Sequence, residues 1–285
     1  MNIRRPYAAG SFYPGTEEAL KQTVQSYLDE AKLPQDLPEG ELLALMAPHA
    51  GYLYSAAVAA PAYKLLPHSD CDTIVIIGHD FGPQAGDIIA VMDDHDAFDT
   101  PLGSVPVDTE LVHALEAHDS RFIVHNRIHS QEHSVEIHLP FIKTLKPEAK
   151  IVPMFFGNAT PSNCRDLAAA LKKLADDRRL LIFASTDVSH YPPYDVAKEL
   201  DKDTTALIET MDLAGLCARQ KGKGVHARVD TPICSAGGVG TAIVWCEYFG
   251  PAEVTILRRA NSGDVPGADH SRVVGYASAA FFRRN

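Results

Sequence analysis

The chain has 285 residues, 46% of them hydrophobic, with 26 basic against 37 acidic side chains and a formal charge of -11. That length and apolar content allow a large buried core. The acidic balance, with no run of Lys and Arg interleaved with aromatics, argues against nucleic acid or an anionic membrane as a partner.

The opening segment, MNIRRPYAAGSFYPG, has two arginines but no apolar run behind them, so no secretory signal is expected. No apolar run approaches the ~18–20 residues needed to span a bilayer. The five cysteines (Cys71, Cys164, Cys217, Cys234 and Cys246) are widely spaced without a C-x-x-C pair. They read as free thiols in a reducing compartment, which implies a cytoplasmic protein.

In chain order, a helix is expected over 16–31, then a proline-bearing connector over 33–40 that is too short for a domain linker. A strand over 42–47 leads into a helix over 55–66. Strands over 73–78 and 87–92 precede a helix over 108–117, with Asp108 as its start signal. The pattern continues with a helix over 134–145, a strand over 150–155 and a helix over 161–175 opened by Thr160-Pro161. A strand over 180–184, apolar without alternation, fits burial on both faces. Helices over 196–211 and 236–248 and strands over 254–260 and 272–281 complete the chain. Alternation of this kind predicts one α/β domain over residues 1–285, with a mostly parallel or mixed central sheet flanked by helices.

Several polar residues fall where these strands end. His49 follows LLALMAP, His79 follows TIVIIG, and Asp187 and His190 follow LLIFAST. In an open α/β sheet, residues just past the strand ends converge on one crevice. Cys234 lies in DTPICSAGG, at the start of a helix whose N-terminus would lower a thiol pKa and favour the thiolate. Imidazole, thiolate and carboxylate together suit a transition metal better than magnesium or calcium. A loop histidine bonded to backbone, or a small buried cysteine, explains each residue singly. Recurrence at successive strand ends favours a site. Asp80, beside His79, is open to three roles: orienting it, contacting a ligand or capping a turn. His190, with an unperturbed pKa near 6.5, is the expected general acid/base, with Asp187 beside it.

The segment His129–Pro140 is dense in ligand-type residues, but its spacing is not H-E-x-x-H. On a helix His133 and Glu136 would share a face, and Glu136 would be placed to fix an imidazole tautomer. A capped helix start is the alternative. Ser185 and Ser189 lie near Asp187, yet no G-x-S-x-G elbow is present, which argues against a serine hydrolase. A hydrolase using Cys234 as nucleophile with His190 is a sharper rival. The run Gly237-Gly238-Val239-Gly240 lacks a nucleotide-binding pattern and is read as tight helix packing.

RRPYAAGSFYP, APHAGYLYS, EHSVEIHLPF, ASTDVSHYPPY, DTPICSAG and NSGDVPGADHSRVVGYASAAF, taken in this order over 5–281, together resemble the Memo family, called AmmeMemoRadiSam system protein B in prokaryotes. The resemblance implies a fold akin to class III extradiol ring-cleavage dioxygenases. It also implies one iron or copper ion, Fe(II) or Cu(I), held by two histidines and a cysteine that fall on His49, His79 and Cys234. The family's nearby aspartate and histidine match Asp187 and His190. The second motif, Gly78-His79-Asp80-Phe81-Gly82, has a shorter glycine-to-histidine spacing than relatives, leaving His79 or Asp80 as second ligand. Cys234 stands where such dioxygenases use a carboxylate. The implied function is a metal-dependent oxidoreductase on an unknown small molecule or peptide. A non-catalytic protein binding metal or peptide in the same cleft is the alternative. The system name implies a functional link to a radical SAM protein.

Overall fold

Runs of Leu, Ile, Val and Ala with no polar alternation form strands only where both sheet faces are covered, and four such runs make the parallel heart of this molecule. The computed structural model describes residues 2–220 and 230–284. The strands are β1 (Ile3–Arg4), β2 (Leu42–Ala47), β3 (Thr73–Asp80), β4 (Ala90–Met92), β5 (Ala97–Phe98), β6 (Val105–Pro106), β7 (Phe122–Val124), β8 (Lys150–Phe156), β9 (Leu180–Ser185), β10 (Ala252–Asn261) and β11 (Gly275–Arg283). The helices are α1 (Glu17–Glu30), α2 (Tyr52–Leu65), α3 (Thr109–His118), α4 (Asn126–His129), α5 (Leu139–Leu145), α6 (Pro161–Leu174), α7 (Tyr194–Glu209), α8 (Leu213–Gln220) and α9 (Ala236–Glu247).

The main sheet has the order β10-β11-β2-β9-β3-β8-β4-β7. Its centre, β2-β9-β3-β8, is parallel, while β11 and β10 extend one side antiparallel. This is the expected mixed α/β architecture. All six residues of β2 are buried, and Ile74, Val75, Ile76 and Ile77 of β3 are fully so. Each such Ile, Leu or Val side chain contributes about 1.5–3 kcal/mol by leaving water. The edge strand β10 instead carries exposed Arg258 and Arg259, which discourage pairing with another chain.

Helix α2 packs on β2, β10 and β11 with α1 and α5 alongside it, α9 crosses β2, β3 and β9 next to α6 and α8, and α7 covers β10 and β11. Eleven of the twelve residues of α9 are buried, so this helix has no polar face, as expected for one enclosed between sheet and helices. Its glycines serve that packing. A Cβ on Gly237 would lie 2.2 Å from Phe156 Cδ1, and one on Gly240 would lie 2.7 Å from Cys164 Sγ.

Two expectations are corrected. The segment 134–145 is not one helix. A 3-10 turn, Glu136–His138, precedes α5, which places Pro140 in the first turn of a helix, where its missing N–H costs nothing. The sheet β1-β5-β6 and the short elements β7 and α4 were not expected, because two- to four-residue strands and single turns carry no readable period; the eight-residue α8 was also not expected. Among the described residues no helix is long and apolar enough to cross a membrane.

Candidate functional site

Strand order decides the site. β2 and β3 flank β9 in parallel, so their carboxyl ends lie side by side, with Ala47 paired to Ser185 and Ile77 to Ala184. The residues at or just past these three ends, His49, His79, Asp187 and His190, line one cavity of about 460 Å³ together with Cys234 and His133. All five residues expected from the sequence are therefore brought together.

His49 is buried. Its backbone N–H donates to Asp187 Oδ1 at 2.8 Å, and its Nδ1 lies 2.7 Å from Ser185 Oγ. Its Nε2 is 3.5 Å from Cys234 Sγ and 4.0 Å from Asp187 Oδ2. Burial pushes the imidazole down to about 4, against the pull of the Asp187 carboxylate.

Cys234 corrects an expectation. Ser235, not Cys234, caps α9 by accepting from Gly238 N. Burial pushes the Cys234 thiol far up, and the Asp187 carboxylate adds to this. The Thr186 hydroxyl and the Asp187 amide, which donates to Sγ at 3.1 Å, only partly offset it. The protein alone holds a thiol here. A cation beside the sulfur would be needed to make the thiolate. The histidine within reach of Sγ is His49; no hydrogen bond joins Cys234 to His190 among the described residues.

His79 is half-buried and rests on Phe155 and Phe81. Its Nδ1 is 3.6 Å from Glu132 Oε2, and the other oxygen of Glu132 is 3.1 Å from His133 Nδ1. Burial raises the Glu132 pKa, but hydrogen bonds and charge from His133 and His79 outweigh it and hold the carboxyl well below its usual range. Asp80 does not line the cavity. It turns to the start of α9, accepting from Gly237 N at 3.0 Å and Gln220 Nε2 at 2.6 Å. His190 donates Nδ1–H to the Val188 carbonyl at 2.9 Å, since a carbonyl can only accept.

Glu136 does not serve an imidazole. It is fully buried, paired with Arg4 at 2.5 Å, and accepts from Tyr7 N, Ala8 N and Tyr13 Oη. It binds the N-terminal segment to the stretch between α4 and α5, where Phe12 packs against His133 with ring centroids 4.3 Å apart. Ser185 is fully buried and donates to the Ser134 carbonyl at 2.5 Å, which removes it as a nucleophile. Glu132 and His133 are the carboxylate and imidazole of the cavity wall that sequence reasoning left out of the site. Their adjacency in Gln131-Glu132-His133-Ser134 was the available signal.

The arrangement is an α/β protein with an imidazole-, thiol- and carboxylate-lined cleft at the ends of parallel strands. A model of the Memo-like protein family matches residues 4–280, and the chain belongs to that family. A MEMO1 family protein of Pyrobaculum aerophilum is 36% identical over 99% of this chain and 100% of its own length. A MEMO1 family protein of Methanopyrus kandleri is 35% identical over 98% of this chain and 99% of its own. The crystal structure of an uncharacterized protein from Escherichia coli K12 is similar in fold, with a TM-score of 0.51 and 14% identity over 84% of this chain and 99% of that one.

Proposed function

We propose that this Memo-family protein holds one transition-metal ion, iron or copper, in the strand-end cleft and acts as an oxidoreductase on a small molecule. The observation that carries the reading is the 3.5 Å between His49 Nε2 and Cys234 Sγ. An ion about 2.0–2.1 Å from imidazole nitrogen and about 2.3 Å from thiolate sulfur, at tetrahedral angles, sets those donors roughly 3.5 Å apart. Among the described residues, no three His, Cys, Asp or Glu side chains are gathered tightly enough to hold an ion as they stand. His79, drawn toward Glu132, is the donor that would turn to complete the set with His49 and Cys234.

The ion would supply redox or Lewis-acid chemistry. The chain supplies the rest. His190, with Nδ1 fixed on Val188, keeps Nε2 for moving a proton at the substrate. Asp187 holds the His49 backbone. Phe12 and Tyr276 wall the cavity, whose volume suits a small ligand or one peptide side chain.

Metal analysis of anaerobically purified protein tests this. About one iron or copper per chain in the wild type, lost in Cys234→Ser and His49→Ala, is expected. A wild type that binds neither added Fe(II) nor Cu(I) would overturn it. Oxygen uptake with candidate substrates then separates an oxidoreductase from a protein that only binds metal or peptide. The His49–Cys234 contact also fits a thiol nucleophile paired with a base. Activity of metal-free protein, abolished by alkylating Cys234, would select that second reading.

A further inference from the structure

We propose that Ser185 and His138 are positioning residues that lock His49 in a single tautomer, with hydrogen on Nδ1 and a bare Nε2 turned to Cys234. The purpose of this device rests on the metal-centre reading, whereas its geometry does not.

Ser185 is the last residue of β9, and three groups meet its Oγ. The Ser134 carbonyl oxygen is 2.5 Å away, His49 Nδ1 2.7 Å and His138 Nε2 2.8 Å. A hydroxyl has one hydrogen and two lone pairs. The carbonyl can only accept, so at 2.5 Å it takes that hydrogen; the opposite choice would press two oxygen lone pairs together. Both imidazoles must then donate to Ser185. His49 carries its hydrogen on Nδ1, and a neutral ring so protonated has a bare Nε2. His138 carries its hydrogen on Nε2, and its Nδ1 accepts from the Tyr63 hydroxyl at 2.6 Å. One backbone carbonyl thus sets the direction of a chain of four side chains.

The chain is dry. Ser134, Ser185 and His138 are fully buried, Tyr63 is 1% exposed, and His49 is 6% exposed. This burial keeps bulk solvent from taking over a missing bond, so a reversed ring leaves a buried donor or acceptor unmet. Packing holds the members in place: Tyr63 stacks on Phe141 at 4.1 Å, and His138 leans on Phe183 at 4.6 Å. Tyr63 belongs to α2 and His138 to the turn before α5, so these elements reach His49 Nδ1, opposite its ligand edge, through Ser185. Metal-bound histidines need their other nitrogen fixed in this way. Here the acceptor is a serine, held by a second histidine.

Long-range proton–nitrogen NMR of the metal-free protein at neutral pH reads the imidazole nitrogens directly, with His49 assigned by its loss in His49→Gln. The wild type should show protonated Nδ1 and bare Nε2 at His49. In Ser185→Ala the ratio of the two tautomers should fall about tenfold or more, and Ser185→Thr should restore it. Cobalt(II) titration gives an independent readout: affinity should drop roughly 10–100-fold in Ser185→Ala and recover in Ser185→Thr, with melting temperatures close together. Hydrogen on Nε2 of His49 in the wild type overturns the proposal, as does a tautomer ratio unmoved by Ser185→Ala. Unchanged cobalt affinity alongside a shifted tautomer overturns the purpose assigned to it. A wild type that binds no cobalt counts against the metal reading, while the NMR result still decides the tautomer. If Ser185→Ala fails to fold, the wild-type spectrum decides it alone.

Discussion

Replacing Glu136 with Gln should destabilise the whole strand-end region. The Glu136 carboxylate is fully buried and accepts four hydrogen bonds: Arg4 Nη1 at 2.5 Å, Tyr7 N at 2.8 Å, Ala8 N at 2.7 Å and Tyr13 Oη at 2.7 Å. The amide would keep the volume but remove the charge and turn an NH₂ toward donors. Arg4, 3% exposed, would be left as an uncompensated buried cation. Removing one partner of a buried ion pair costs about 3–5 kcal/mol. With a urea slope of about 2–3 kcal/mol/M, the unfolding midpoint should fall by roughly 1–2 M. Tyr13→Phe, which deletes one bond to the same carboxylate, should cost about 1.5–3 kcal/mol and provides a graded control. Arg4 also donates to the Glu132 carbonyl, so the Glu136→Gln effect should extend to the Glu132–His133 wall of the cleft. Equilibrium unfolding followed by tyrosine fluorescence and far-UV dichroism would measure both variants. A Glu136→Gln midpoint within about 0.3 M of the wild type would refute the claim that this pair anchors the N-terminal segment.

Two pH effects of opposite sign should be separable by variants. Burial pushes the Asp201 carboxyl up to about 6, so between about pH 4 and 6 the folded form keeps a proton that the unfolded form releases. Its contribution to stability should therefore be lost as pH rises through that window, by on the order of 2–3 kcal/mol, and Asp201→Asn should flatten that slope. Burial instead holds His129 down to about 3 and His49 down to about 4. The unfolded imidazoles take up protons below about pH 6.5 and the folded ones do not, so stability should be lost as pH falls from there. His129→Gln should weaken that acid-side loss in urea titrations at a series of pH values, and an unchanged profile would count against it. Gly237→Ala should cost about 1–3 kcal/mol, because the new Cβ would lie 2.2 Å from Phe156 Cδ1; a melting temperature equal to wild type would show that α9 has room to shift.

The class of fold and most element positions were legible from the order of residues. The runs over 42–47 and 180–184 are apolar throughout, as a doubly covered parallel strand requires. The placing of His49, His79, Asp187 and His190 after strand ends was readable for the same reason, since parallel strands bring their carboxyl ends to one edge. Local pattern could not say that β9 would lie between β2 and β3, because strand order is a choice among long-range pairings. That order brings His49 to Ser185 and Cys234 to His49. It also decided that Asp80 turns to α9 while His79 faces the cleft. Glu136 was misjudged because its partners, Arg4 and Tyr13, lie more than 120 residues away in the chain. The Cys234 thiol was expected to be acidic from its place before a helix. The tertiary structure reversed that, because desolvation of the thiol and the neighbouring Asp187 carboxylate outweigh a helix terminus capped by another residue.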